Sequence, residues 1–139
     1  RKHQASRPKE WKTYEIYKDI YKIIKDISEK HQTVILDCIT LLVNNLMFTD
    51  GIDIDNASEE EINELEAYIQ DQIKKLMEEV KKTDLYFVMV TNEIGLGVVP
   101  GYKLGRVYCD FVGRINQMLG KLSDEVYFVV CGIPTKIKG

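Results

Sequence analysis

The chain has 139 residues, 19 Lys and Arg against 22 Asp and Glu, for a formal charge of −3 and a pI near 5.5. That is one domain's length, enough to bury a core, and its acidic balance argues against a dedicated nucleic-acid binder, which would carry a basic face. No apolar run approaches the roughly 18 residues of a membrane span, and the opening RKHQASRPKEW has no apolar core for a secretory signal, so a cytoplasmic location is expected.

The polar, basic stretch from Arg1 to Trp11 is interrupted by Arg7-Pro8, because the residue before proline is pushed out of the helical region. Ile16, Ile20, Ile23, Ile24 and Ile27 then recur at helical spacing with Lys and Asp between them, which predicts a surface helix opening near Thr13. Val34, Ile35 and Leu36 read as a short buried strand closing on Asp37. An apolar strand with a terminal carboxylate is the Walker B pattern, in which the acid lies near a nucleotide's magnesium, directly or through water. Ile39 to Phe48 is predicted to be a short, mostly buried helix carrying Thr40, Asn44 and Asn45.

The run DGIDIDN, residues 50–56, offers Asp53, Asp55 and Glu64 at positions 1, 3 and 12 of a calcium loop. Ala57 and Ser58 stand where that loop needs a ligand and its glycine, so a solvated loop is the competing reading. Ser58 and Glu61 make a capping box for a long helix to about Lys82, with Ile62, Leu65, Ile69, Leu76 and Val80 as its apolar stripe.

Leu85 to Val90 is uniformly apolar and too short to alternate, which predicts a parallel strand covered on both faces. It stops at Thr91-Asn92-Glu93 and turns over glycines. Ligands of open α/β sheets sit beyond the carboxyl ends of the strands, so Asn92, Glu93, Gly95 and Gly97 are candidates for ligand contact, and a plain strand-to-helix turn is the alternative. The next helix, Leu104 to Leu122, has an apolar face through Phe111 and Ile115, while Arg106, Asp110 and Arg114 fall four apart on another side. Such a row is either a solvated ion-pair ladder or, after a glycine loop, a source of arginines for an anion. Val126 to Val130 is predicted to be a last buried strand, closed by Gly132 and Pro134, with Lys136 and Lys138 in the tail. Cys38, Cys109 and Cys131 lack metal or disulfide spacing and read as small core residues. Strands separated by helices argue for a single α/β domain, residues 1–139, built on a mostly parallel sheet flanked by helices.

Several segments together resemble the bifunctional adenosylcobinamide kinase and adenosylcobinamide-phosphate guanylyltransferase family of cobalamin synthesis. They are His3 with Arg7-Pro8, Trp11, Thr13 and Glu15; LDCITLLVNNL from Leu36; VTNEIGLGVVP from Val90; GRVYCDFVGRINQ from Gly105; and the closing GIPTKIK. The resemblance implies a P-loop NTPase-like (RecA-like) fold and two reactions: phosphorylation of adenosylcobinamide by ATP or GTP, then transfer of GMP from GTP to that phosphate through a guanylylated histidine. By motif position it puts the nucleophile on His3, whereas His31 matches nothing. Neutral imidazole is a competent nucleophile at neutral pH. The resemblance also places Arg7 and Pro8 with Glu15 and Asp37 near the nucleotide: Arg7 against phosphate, Glu15 toward base or ribose, and Asp37 toward Mg2+. It implies a homo-oligomer, with a trimer suspected.

One departure is large. Family members are expected to begin with a strand and a GxxxxGK[ST] phosphate loop, neither of which occurs in these 139 residues, and GLGVVPGYK is no substitute. The chain opens at Arg1 without methionine, so the expectation is a domain incomplete at its N-terminus, its first strand and phosphate loop lying upstream. The alternative is a non-catalytic homologue that binds nucleotide or corrinoid.

Overall fold

The structure, a computed structural model, describes residues 8–139; His3 and Arg7 lie outside the described residues. In chain order the elements are a 3-10 turn (Ile20–Ile23), α1 (Ile24–Ser28), β1 (Thr33–Asp37), α2 (Ile39–Met47), α3 (Glu59–Val80), β2 (Tyr86–Val90), α4 (Lys103–Leu122), β3 (Val126–Val130) and β4 (Ile133–Lys138). The mixed α/β character holds, with β1 and β2 paired in parallel and α2 and α3 in the crossover between them.

The first helix begins later than its periodicity predicts. Asp19 is left-handed at φ 55, its N–H donates to Gln72 Oε1 at 3.0 Å and its carboxylate accepts from Lys22 Nζ at 2.6 Å. A right-handed helix cannot run through that residue. Ile16 consequently stays 42% exposed, and only from Ile20 onward does the apolar stripe reach the core.

The long helix behaves as its sequence predicts. Glu61 N–H donates to Ser58 Oγ at 3.2 Å while Ser58 N–H donates to Glu61 Oε2 at 2.8 Å, so two of the otherwise unsatisfied first-turn donors are closed reciprocally. Its buried stripe is Ile69, Ile73, Leu76, Met77 and Val80, with Ile62 and Leu65 partly covered. This stripe meets Ile39, Val43 and Leu46 of α2 and Phe111, Val112 and Ile115 of α4 in the main core. Each such side chain taken from water contributes about 1.5–3 kcal/mol.

The strands depart from expectation in two ways. Among the described residues one face of the parallel pair is covered: Leu36, Phe87 and Met89 pack against the helical core, whereas Ile35 is 48% and Tyr86 69% exposed. The register sets this, since Ile35 pairs with Val88 on one face and Leu36 with Met89 on the other. Second, Val126–Val130 does not join that sheet. It forms an antiparallel hairpin with β4, which takes in the Lys136 and Lys138 predicted as tail. Cys131 at φ 51 and Gly132 at φ 76 supply the two left-handed positions of a tight two-residue turn. Among the described residues no helix is long and apolar enough to cross a membrane.

Candidate functional site at the carboxyl ends of the parallel strands

Asp37 and Val90 are register partners, so β1 and β2 end side by side and their loops leave at the same end of the sheet. The Asp37 carboxylate is exposed there with no hydrogen-bond or ion-pair partner among the described residues. Cys38 follows through a cis peptide and opens α2, its Sγ 3.0 Å from Thr40 Oγ1. Thr40 is the buried polar residue of this region, 5% exposed.

The two loops are tied together and to α4. Asn92 Nδ2 donates to Thr40 Oγ1 at 3.1 Å. Asn116 uses both ends of its amide: Nδ2 donates to the Asn92 carbonyl at 3.0 Å, and Oδ1 accepts from Thr91 Oγ1 at 2.7 Å. Tyr108 donates its hydroxyl to the Thr40 carbonyl at 3.0 Å, and burial pushes its phenol up, keeping it a donor across the neutral range. Residues from β1's loop, β2's loop and α4 thus form one polar chain whose members satisfy one another.

Glu93 folds back so that its carboxylate accepts from Gly95 N–H at 2.8 Å. Arg106 reaches the Pro100 carbonyl at 3.2 Å, and Arg114 forms a two-pronged pair with Glu66 of α3, whose second contact is 2.8 Å. That pairing raises the Arg114 pKa. Of the sequence candidates, Asn92 and Glu93 therefore stand at the strand ends beside Asp37, Arg106 closes the far end of the glycine loop, and Arg114 engages a neighbouring helix.

Pro8 accepts at its carbonyl from Trp11 N–H at 3.1 Å, starting an exposed segment that carries Glu15. Its Tyr14 meets His31 edge to face, hydroxyl 3.4 Å from Nε2. His31 precedes β1, so this contact lies at the opposite end of the strand from Asp37. A groove of about 460 Å³ also lies at that end, lined by Lys25, Glu29, His31, Glu79, Lys82 and Asp84 among others. Its charges are mixed, and Lys82 already pairs with Glu79 at 2.5 Å.

The acidic loop of residues 50–56 has local work. Asp53 Oδ2 accepts from Asn56 Nδ2 at 2.7 Å and Oδ1 from Asp55 N–H at 3.2 Å, while Asp55 Oδ1 accepts from Leu104 N–H at 3.3 Å, at the start of α4. Among the described residues no group of three or more His, Cys, Asp or Glu is placed to hold a metal. Asp37 alone still suits magnesium, which takes one or two protein carboxylates and completes its shell with water and phosphate.

Sequence reasoning gave Thr40 and Asn116 no part in the site and read Tyr108 as part of the apolar face of its helix. Thr40 and Tyr108 sit in apolar runs, and Asn116 inside the GRINQ block was read for its resemblance alone. A polar residue at a core position of a helix was the available signal.

Known proteins resemble this chain over nearly its whole length. The family model for CobU, described as cobinamide kinase / cobinamide phosphate guanyltransferase, matches residues 1–137. Two proteins named bifunctional adenosylcobalamin biosynthesis protein CobU, from Escherichia coli and Salmonella typhimurium, are each 36% identical over 136 residues, covering 98% of this chain and 75% of theirs. The bifunctional adenosylcobalamin biosynthesis protein CobP of Pseudomonas aeruginosa is 29% identical over 137 residues, covering 99% of this chain and 71% of its own.

Proposed function

The chain belongs to the cobinamide kinase / cobinamide phosphate guanyltransferase family, and from that premise we propose that the protein phosphorylates adenosylcobinamide and then guanylylates the product. The observation that carries this is the family match across residues 1–137, which spans both the N-terminal motif and the strand-end site.

In the first step the aminopropanol hydroxyl of adenosylcobinamide takes the γ-phosphoryl group of ATP or GTP, releasing the nucleoside diphosphate and a proton. In the second, a ring nitrogen of His3 attacks the α-phosphorus of GTP: an N–P bond forms, the bond to the bridging oxygen breaks, and pyrophosphate leaves. A phosphate oxygen of adenosylcobinamide phosphate then displaces the histidine, giving adenosylcobinamide-GDP and restoring the imidazole. Splitting the transfer through a covalent intermediate replaces one difficult displacement by two easier ones. Arg7 neutralises phosphate charge and Glu15 accepts from base or ribose. Asp37, exposed at the strand end, holds Mg2+, which when bound would draw charge from the phosphate oxygens.

The experiment is intact mass of the full-length gene product before and after incubation with GTP and magnesium. A GMP-sized increment on the peptide containing His3, absent from His3→Ala, is the expected result. An increment that survives His3→Ala overturns the nucleophile assignment. No increment in the unsubstituted protein favours a non-catalytic nucleotide- or corrinoid-binding homologue instead.

A further inference from the structure

We propose that the glycine-rich loop of residues 94–102 is the surface that receives the corrin macrocycle of the cobinamide substrate; this rests on the function proposed above. The loop reads IGLGVVPGY and contains no charged side chain. Leu96 is 77%, Val98 96%, Val99 76% and Tyr102 64% exposed. A single exposed aliphatic residue is ordinary. Three within four consecutive positions, on a loop secured at both ends, form a deliberate apolar surface.

Both ends are fixed. At one, Asn92 is held by Thr40 and Asn116, and Ile94 packs against the main core. At the other, Arg106 donates to the Pro100 carbonyl, and Gly105 lies so close beneath the loop that an added Cβ would stand 2.7 Å from Pro100 Cβ and 2.7 Å from the Tyr102 ring. The polar groups flanking the loop are turned inward: Asn92 to Thr40, Glu93 to Gly95 N–H, Arg106 to a carbonyl. The side chains that remain facing outward are aliphatic apart from Tyr102, at the sheet end where α/β proteins bind their ligands.

The chemistry of the substrates decides the occupant. A nucleotide triphosphate is polyanionic, and bare Leu and Val side chains offer it neither charge nor a donor. Cobinamide is a broad macrocycle with no anionic group at its edge, whose ring methyls stand among uncharged amide arms, so aliphatic side chains can pack the methyl-bearing surface while water or backbone meets the amides. A second copy of the chain is the poorer fit, because a stable protein interface covers about 800 Å² on each partner, more than four side chains can supply.

The test is equilibrium dialysis of adenosylcobinamide against the full-length protein, read by the corrin's visible absorbance. The Leu96→Ser/Val98→Ser/Val99→Ser variant is expected to weaken binding about tenfold or more, as the lost burial of aliphatic side chains requires. Tyr86→Ser, an equally exposed residue at the opposite end of β2, is expected to bind within about twofold of the parent. The triple variant should keep its thermal midpoint to within about 2 °C, because the replaced side chains touch mainly solvent. If the parent binds adenosylcobinamide and the triple variant binds it equally well, the loop assignment falls while the enzymatic reading stands. An equal loss in Tyr86→Ser, or a change in sedimentation of the triple variant that reveals an interface between copies, also overturns the loop assignment. A parent that does not bind adenosylcobinamide overturns the function, and this inference with it.

Discussion

Asn92 and Thr40, 52 residues apart in sequence, meet at 3.1 Å through side-chain amide and hydroxyl, and their bond joins the loop after β2 to the first turn of α2. Those loops follow the register partners Asp37 and Val90, so the bond ties together the two segments that leave the same end of the sheet. Buried polar groups are retained where they are satisfied, and here Thr40 serves both Asn92 and Cys38.

The two partners should not respond alike to substitution. Thr40 is 5% exposed whereas Asn92 is exposed. Thr40→Val leaves behind only the exposed Asn92 amide, which water can reach, so a loss under about 1 kcal/mol is expected. Asn92→Ala leaves the buried Thr40 hydroxyl with Cys38 as its remaining side-chain partner and should cost about 1–2 kcal/mol. Urea unfolding of the two single variants and the double variant measures both losses and their coupling. Additivity of the two single losses would mean that the bond contributes nothing.

Glu66 and Arg114 make the second long-range polar tie, 48 residues apart, with the Glu66 side chain 14% and the Arg114 side chain 48% exposed. Arg114→Ala leaves a largely buried carboxylate with Gln70 Nε2, at 2.8 Å, as its remaining donor. Discounted for the exposed arginine, the expected loss is about 1–2 kcal/mol. Arg114→Lys should recover only part of it, since an ammonium cannot reproduce the planar two-pronged geometry. Chemical denaturation measures this. Full stability accompanied by a raised KM for GTP would assign the arginine to the nucleotide instead.

Local signals carried most of what the sequence foretold, and non-local ones carried what it did not. Ser58 and Glu61 are three residues apart and announce their helix start from composition alone. The Phe111 and Ile115 face of α4 repeats often enough to be unmistakable. Ile16, by contrast, sits at helical spacing yet lies outside the helix, because a single left-handed residue, Asp19, breaks the run without a glycine to mark it. The Cys131-Gly132 turn likewise lacks the Asn-Gly or Asp-Gly signature of a hairpin, and Pro134 reads as a terminator although it occupies an edge position of β4. The places of Asp37, Asn92 and Glu93 at the strand ends were legible because strand ends are. The Thr40, Asn92 and Asn116 chain was not, since its members are brought together only by the packing of α2 and α4 beside the sheet.

The capping box gives a pH dependence with a defined sign. The Ser58 backbone N–H, and then its hydroxyl, lower the Glu61 pKa below its ordinary value. A depressed carboxylate contributes stability that is present above the unfolded pKa of about 4.3 and is lost as pH falls through the lower folded value. Glu61→Gln should therefore flatten the dependence of the thermal midpoint on pH below about 4.3 while leaving its slope near neutrality unchanged. Thermal scans of both proteins across that range measure it, and an identical acid slope would remove Glu61 from the account.

The hairpin is secured to the helical body by one lysine near the chain's end. Lys138 Nζ donates to the carbonyls of Gly120 at 3.0 Å, Lys121 at 2.9 Å and Ser123 at 2.6 Å, where α4 terminates. Those carbonyls are at or just beyond the last turn, which has no helical partners of its own, and a cation there also complements the negative end of the helix dipole. The contact is exposed, so its contribution to global stability is small, on the order of 1 kcal/mol or less. Its local effect should be larger in proportion, because a two-stranded hairpin has little independent stability in water. Lys138→Met keeps the aliphatic stem and removes the three donors. It should speed hydrogen exchange at the amides of β3 and β4 by about tenfold while leaving α3 unchanged, since local opening tracks local contacts. Uniform acceleration across both regions would show that the lysine supports the whole domain, and none at all would show that the hairpin is held by other contacts.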